Sequence, residues 1–212
     1  MFSVIFDMDG TLTDTQRICI PAWDYAGELQ GFKNMGAAIP QVCGMSEEGW
    51  TSYLIKNYKG LDYLAFKKAF SQYIIDSGVA KLKKGAMEIL NFLKENNVKM
   101  AIASGSPLDA IKFHLGGNGI FNYFEVIVTG DDVTNGKPHP EPFLTAAKRL
   151  GVSPSDCFVF EDSSNGIISG YRAGMRCIGV ADIVPFSDEA KKMIFREYNS
   201  LDEAIPYLKD CL

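Results

Sequence analysis

Asp7 and Asp9 stand two apart in the run Phe6-Asp7-Met8-Asp9-Gly10-Thr11-Leu12-Thr13-Asp14-Thr15, directly after the apolar stretch Ser3–Phe6. A stretch of that kind reads as a short buried strand, and side chains two apart on a strand share a face. Both carboxylates are therefore aimed at one point just past a strand end, where ligands bind in open α/β sheets. Paired acids at such a place suit a hard cation and nucleophilic or acid–base chemistry. Gly10 lets the backbone turn at once. A lone Asp-x-Asp is more often a solvated acidic turn, so the weight rests on what else the chain places at strand ends.

Three further signals fall there. Ser104-Gly105-Ser106-Pro107 follows Met100–Ala103 and opens a helix, a setting in which a hydroxyl and free backbone N–H groups bind phosphate. Lys137, in Gly136-Lys137-Pro138-His139-Pro140, follows Val126–Val128 and can act as a point cation on phosphate. Glu161-Asp162-Ser163 follows Cys157–Phe160 and adds acids that, with Asp7 and Asp9, complete an oxygen shell for magnesium. Taken singly, each has a plainer reading: an N-cap serine, a surface lysine, a capped helix start. Together they gather two aspartates, a serine, a lysine and a second acidic pair at four strand ends.

The elements that must position these residues alternate. Cys177–Val180 reads as a fifth strand. Helical spacing links Ala86, Ile89, Leu90 and Leu93, then Phe143, Ala147 and Leu150, then Ile167, Ile168 and Tyr171, with Gly151 and Gly174 at C-cap positions. Such alternation predicts an α/β fold, a doubly wound, mostly parallel sheet with helices on both faces. Residues 15–80 break the pattern. They show no convincing strand, and Ile18, Ala22, Tyr25 and Leu29, like Phe66, Ala69, Phe70, Tyr73 and Ile74, have helical spacing. The expectation is a core formed by residues 1–14 and 81–212 and an inserted helical unit over 15–80, hinged at 13–15 and 76–81, sitting over the site as a lid.

Composition bounds the partners. The chain has 212 residues, 47% hydrophobic and 22% charged, with a net charge of -5. That balance argues against a nucleic-acid polymer as partner. Five cysteines with no C-x-x-C spacing read as reduced thiols of a cytoplasmic protein. No apolar run approaches the roughly 18 residues of a membrane span.

The four signals, in this order, resemble the haloacid dehalogenase superfamily: Asp7-Met8-Asp9-Gly10-Thr11 as its first motif, Ser104 its second, Lys137 its third and Glu161-Asp162 its fourth. The runs Phe160–Ile167 and Gly130–Pro142 resemble the subgroup of β-phosphoglucomutase and small sugar-phosphate phosphatases, which carries a helical cap where residues 15–80 lie. The resemblance implies that Asp7 attacks phosphorus to form an aspartyl-phosphate and that Asp9 serves as general acid and base. It also implies Mg²⁺ at the Asp7 carboxylate, the Asp9 backbone carbonyl and Asp162 with Glu161 nearby, and phosphoryl oxygens held by Ser104, Gly105 and Lys137. Asp9 favours phosphoryl transfer over carbon–halogen cleavage. A mutase of the subgroup has a cap histidine where Cys19 stands here and an arginine where Glu47 follows Gly44-Met45-Ser46. These departures favour a phosphatase, a monomer by the habit of the architecture, acting on a small phosphorylated metabolite such as a sugar phosphate or nucleotide. A phosphomutase, with Arg17 replacing the missing cation, and a non-catalytic binding protein are the alternatives. Substrate choice is expected to lie with Arg17, Cys19, Gly44, Met45 and Ser46.

Overall fold

The computed structural model describes residues 2–45 and 47–212. Its centre is a six-stranded, all-parallel sheet in the order β3-β2-β1-β4-β5-β6. The strands are β1 Ser3–Phe6, β2 Met100–Ala103, β3 Val126–Val128, β4 Cys157–Glu161, β5 Arg176–Gly179 and β6 Ile194–Glu197. The first five fall where the apolar runs predict them. β6 was not anticipated: Ile194-Phe195-Arg196-Glu197 is a half-exposed edge strand with only two apolar residues, so no buried run announces it.

Both faces of the sheet are covered, as parallel sheets require. Along β1 the period-two rule divides the core: Val4 and Phe6 enter one apolar cluster, Ile5 the other. The first cluster packs α5 (Ala86–Glu95) and α10 (Ile205–Asp210) on one side. The second packs α7 (Glu141–Leu150) and α8 (Ser164–Arg172) on the other. Phe6, Phe158 and Phe160 are fully buried, each such side chain contributing about 1.5–3 kcal/mol through burial. β1 lies between β2 and β4, so the chain leaves it in both directions across the sheet. That reversal point opens the crevice at the carboxyl ends of β1 and β4.

Between β1 and α5 the chain is helical: α1 Gln16–Glu28, α2 Ile39–Val42, α3 Glu47–Asn57 and α4 Tyr63–Ser77. These helices have an apolar cluster of their own around Trp23, Met35, Leu54 and Phe66, with Trp23 edge-on to Phe66 at 5.5 Å. The buried face of α1 differs from the expected one. Tyr25 and Leu29 are 44% and 63% exposed, while Ala22, Trp23, Ala26 and Gly27 are buried. Trp23 supplies the larger apolar surface, and the small residues beside it admit Met35 and α4. The two connections to the sheet run side by side: Asp14 N–H donates to Lys81 C=O at 2.8 Å, and Thr13 bridges Leu82. No helix among the described residues is long and apolar enough to cross a membrane.

Candidate active site

The carboxyl ends of β1 and β4 converge on one buried charged cluster. Asp7 follows β1, its N–H bonded to Phe160 C=O at 3.0 Å. Lys137, from the segment between β3 and α7, enters from the side. Its Nζ donates to Asp7 Oδ1 and to Glu161 Oε1, both at 2.6 Å. It also lies 4.9 Å above the ring centre of Phe143. Glu161 Oε2 accepts from the N–H and the hydroxyl of Ser163, each at 2.9 Å, and that hydroxyl accepts Gly166 N–H at the start of α8. A Cβ at Gly166 would run into the Glu161 carboxylate, so only glycine lets α8 begin this close. Asp162 accepts from Thr11 Oγ1 at 3.0 Å and from Gln16 Nε2.

The electrostatics describe an excess of negative charge. Burial, with Glu161 and Asp9 nearby, pushes the Asp7 carboxyl up to about 8, although Lys137 pulls it down. Burial and the neighbouring Glu161 and Asp7 hold the Asp162 carboxyl well above the usual range. Burial works against the charged form of Lys137, but Asp7 and Glu161 outweigh it and raise its pKa. One lysine thus serves two buried acids, Asp7 and Glu161, with a third, Asp162, beside them.

That arrangement fits a hard divalent cation. Asp7, Glu161 and Asp162 each offer a carboxylate oxygen, and these oxygens lie within 4.8 Å of one another. The donor set is all oxygen, as magnesium prefers. Gln16 adds to the fit. Its Nε2 donates to Asp162 and, at 3.4 Å, to the Asp9 backbone carbonyl. Its buried Oε1 has no hydrogen-bond partner among the described residues, which leaves an acceptor for the water of a hydrated ion.

Asp9 projects its carboxylate away from this cluster. Oδ2 accepts from Ser104 Oγ at 3.1 Å and from Ser106 Oγ at 2.7 Å, and Oδ1 accepts from Thr15 Oγ1 at 2.8 Å. Thr15 occupies the N-cap position of α1 without capping it, so its hydroxyl is committed to Asp9. Ser104 Oγ also accepts Ser106 N–H at 3.0 Å. The two aspartates of the first motif are therefore held by different partners: Asp7 by a cation, Asp9 by hydroxyls.

A cavity of about 530 Å³ opens over both aspartates, walled by the insert on one side and by Gly105–Pro107 and the helix after them on the other. Cys19, Gly44 and Met45 line it. Ser46 lies outside the described residues. Arg17 does not reach the cavity; its side chain is 65% exposed and pairs with Asp14 at 3.2 Å. The cation on the wall is instead Lys67, paired with Glu47. Burial and nearby Asp9 push the Cys19 thiol up to about 12, which leaves it protonated and unreactive at neutral pH.

The site includes residues the sequence reading passed over. Thr15, Gln16 and Ser106 hold Asp9 or Asp162, and His114 lines the cavity while its Nδ1 accepts Ala80 N–H at 3.1 Å. His114 is itself buried. The one signal for Thr15 and Ser106 was a hydroxyl two to four residues from a motif, which is too common to single out.

The family model for haloacid dehalogenase-like hydrolases matches residues 3–174, and the chain belongs to that family. Its relatives include a phosphorylated carbohydrates phosphatase of Thermotoga maritima, 32% identical over 187 residues covering 84% of each chain. The validoxylamine A 7'-phosphate phosphatase of Streptomyces hygroscopicus subsp. limoneus is 30% identical, covering 83% of this chain and 84% of the relative. Among solved structures, the β-phosphoglucomutase of Clostridium difficile superposes with a TM-score of 0.84 at 26% identity, covering 99% of this chain and 96% of that one.

Proposed function

We propose that this chain is a Mg²⁺-dependent phosphatase that hydrolyses a small phosphomonoester through an aspartyl-phosphate on Asp7. The observation behind the reading is the separation of roles at the first motif. Asp7 sits among Lys137, Glu161 and Asp162, whereas Asp9, two residues on from Asp7, is turned toward the hydroxyls of Ser104 and Ser106. Asp7, Asp162 and the Asp9 backbone carbonyl, with Glu161 nearby, would hold the metal. When bound, Mg²⁺ offsets the repulsion between the Asp7 carboxylate and an anionic phosphoryl group.

Asp7 Oδ2 or Oδ1 attacks phosphorus. Lys137 is fixed beside the attacking carboxylate and takes part of the charge on the phosphoryl oxygens, with Ser104 and the backbone at Gly105 on the other side. Asp9 gives a proton to the leaving alcohol oxygen. It then takes one from the water that cleaves the aspartyl-phosphate. Ser104, Ser106 and Thr15 keep its carboxyl oriented between the two steps. Residues 15–80 are the cap and residues 1–14 with 81–212 the core, so the wall over the site is cap. Residues 13–15 and 76–81 are its hinges.

Phosphate release from a panel of phosphomonoesters tests this. Release that needs Mg²⁺ and is lost in Asp7→Asn supports it; release retained in Asp7→Asn removes Asp7 from its role. The structural likeness to a β-phosphoglucomutase favours a second reading, a phosphomutase. Cys19 and Glu47 at the two cap positions weigh against it. Interconversion of a hexose 1-phosphate that depends on the hexose bisphosphate, with no net phosphate release, would establish the mutase.

A further inference from the structure

The polar groups that flank Asp9 and Asp162 are largely committed, and Ser71 and Asp109, which also line the cavity, are exposed. Thr15 and Ser106 donate to Asp9, Gln16 to Asp162 and the Asp9 carbonyl, and Glu47 accepts from Lys67 and Tyr63. The Glu47–Lys67 pair stands at the rim, with side chains 35% and 44% exposed. Much of the remaining wall, the buried His114 apart, is apolar and only half-buried: Ile18 from α1, Trp50 from α3, Phe70 and Ile74 from α4, and Phe113 from the helix facing them across the cavity. A polyhydroxy chain placed there would give up water from each hydroxyl and find few partners in return. An apolar body would cover the half-buried rings and be gained by their burial.

We infer that the cavity selects phosphomonoesters whose alcohol part is an apolar, aromatic-bodied group, and that open polyol phosphates are poor substrates. Resting on the phosphatase reading for its phosphoryl end alone, the inference adds what lies beyond the ester oxygen. The body stacks against Trp50, Phe70 and Phe113 while the phosphoryl group meets Asp7. A polar substituent is tolerated where it reaches the Glu47–Lys67 rim or solvent.

The test compares two primary alkyl esters with similar leaving groups, 2-phenylethyl phosphate and ribitol 5-phosphate, on the full chain with Mg²⁺. The expected result is a kcat/KM at least about ten-fold higher for 2-phenylethyl phosphate, carried by KM, since even one methylene in an apolar pocket is worth roughly ten-fold or more. Ile74→Ser should pull the ratio of the two kcat/KM values toward one. Equal or reversed preference in the wild-type chain, with phosphate release intact, overturns the inference and leaves the phosphatase reading standing. If neither ester releases phosphate, the phosphatase reading is left to the wider panel, and calorimetric titration of the same two esters decides the cavity. Tighter binding of 2-phenylethyl phosphate sustains its apolar selectivity; equal or weaker binding ends it.

Discussion

Asp7 and Asp9 are two residues apart and chemically unlike, and the difference comes from their neighbours. Asp7 is buried with Lys137 at 2.6 Å, while Asp9 is ringed by three hydroxyls. Asp9→Asn keeps the shape but removes the proton carrier, so turnover should fall by about 10²–10⁴-fold, with aspartyl-phosphate formation and breakdown both slowed in rapid-quench measurements. Ser106→Ala leaves the proton in place and loosens its carrier; a loss of roughly ten-fold in kcat with little change in KM is expected from misplacement alone. The charge excess around Asp7 sets a pH dependence. Folding raises the Asp7 carboxyl from 3.8 to about 8 and raises Asp162 as well. Through that window the folded state holds protons that the unfolded chain has released, so stability falls as pH rises from about 4 to about 8. Melting temperatures in chelator should therefore decline across the window, and saturating Mg²⁺ should flatten the decline. The acidic motif residues were legible because each ends an apolar run. Gln16 and Thr15 were not, since their roles depend on where α1 begins relative to β4, and that is a tertiary fact.

At the scale of elements, five strands could be read from apolar runs of three or four residues because both faces of this sheet are covered. β6 escaped because it is an edge strand, with Phe195 46% exposed and Arg196 and Glu197 facing out. The helices of the insert were legible by spacing, but the face α1 buries was not. Trp23 decides it, and one large ring outweighs the alternative stripe of Ile18, Tyr25 and Leu29. Ile18 is left on the cavity wall as a result. The α8 start shows how an element serves the site. Ser163 caps α8 and holds Glu161, which in turn holds Lys137. Gly166→Ala would push a methyl into the Glu161 carboxylate. The expected cost is roughly 1–3 kcal/mol of stability, the usual range for overpacking, together with weakened activity as Lys137 shifts. Chemical denaturation and phosphate release on the same sample would check both. Unchanged stability would mean α8 can back away without cost.

Across the whole molecule, a chain of net charge -5 gathers three buried carboxylates at the sheet's reversal point, two of them paired with one lysine. A folded-state cation site of that kind links metal to stability. At a Mg²⁺ concentration of 100 times Kd the gain is about 2.7 kcal/mol, or roughly 5–10 °C in Tm for a chain of this size. Scanning calorimetry against Ca²⁺-free Mg²⁺ titrations would read it, and no shift at any concentration would detach the acidic cluster from metal. The helical segment between β1 and α5 lines the cavity at this point and is tied to α8 by Asn165 Nδ2 donating to Cys43 C=O at 3.1 Å. Its exit is fixed by His114 and Asn118, which bond Ala80 N–H and C=O.

The nucleophilic role of Asp7 is reached most directly by acid-quenching the Asp9→Asn chain during a single turnover with Mg²⁺ and a phosphomonoester, then weighing the peptide that contains residue 7. Added mass of one phosphoryl group on Asp7, released by hydroxylamine and absent when Asp7→Asn is added, is the predicted result. Phosphate released in that turnover with no phosphoryl group on the peptide at any time point would contradict it.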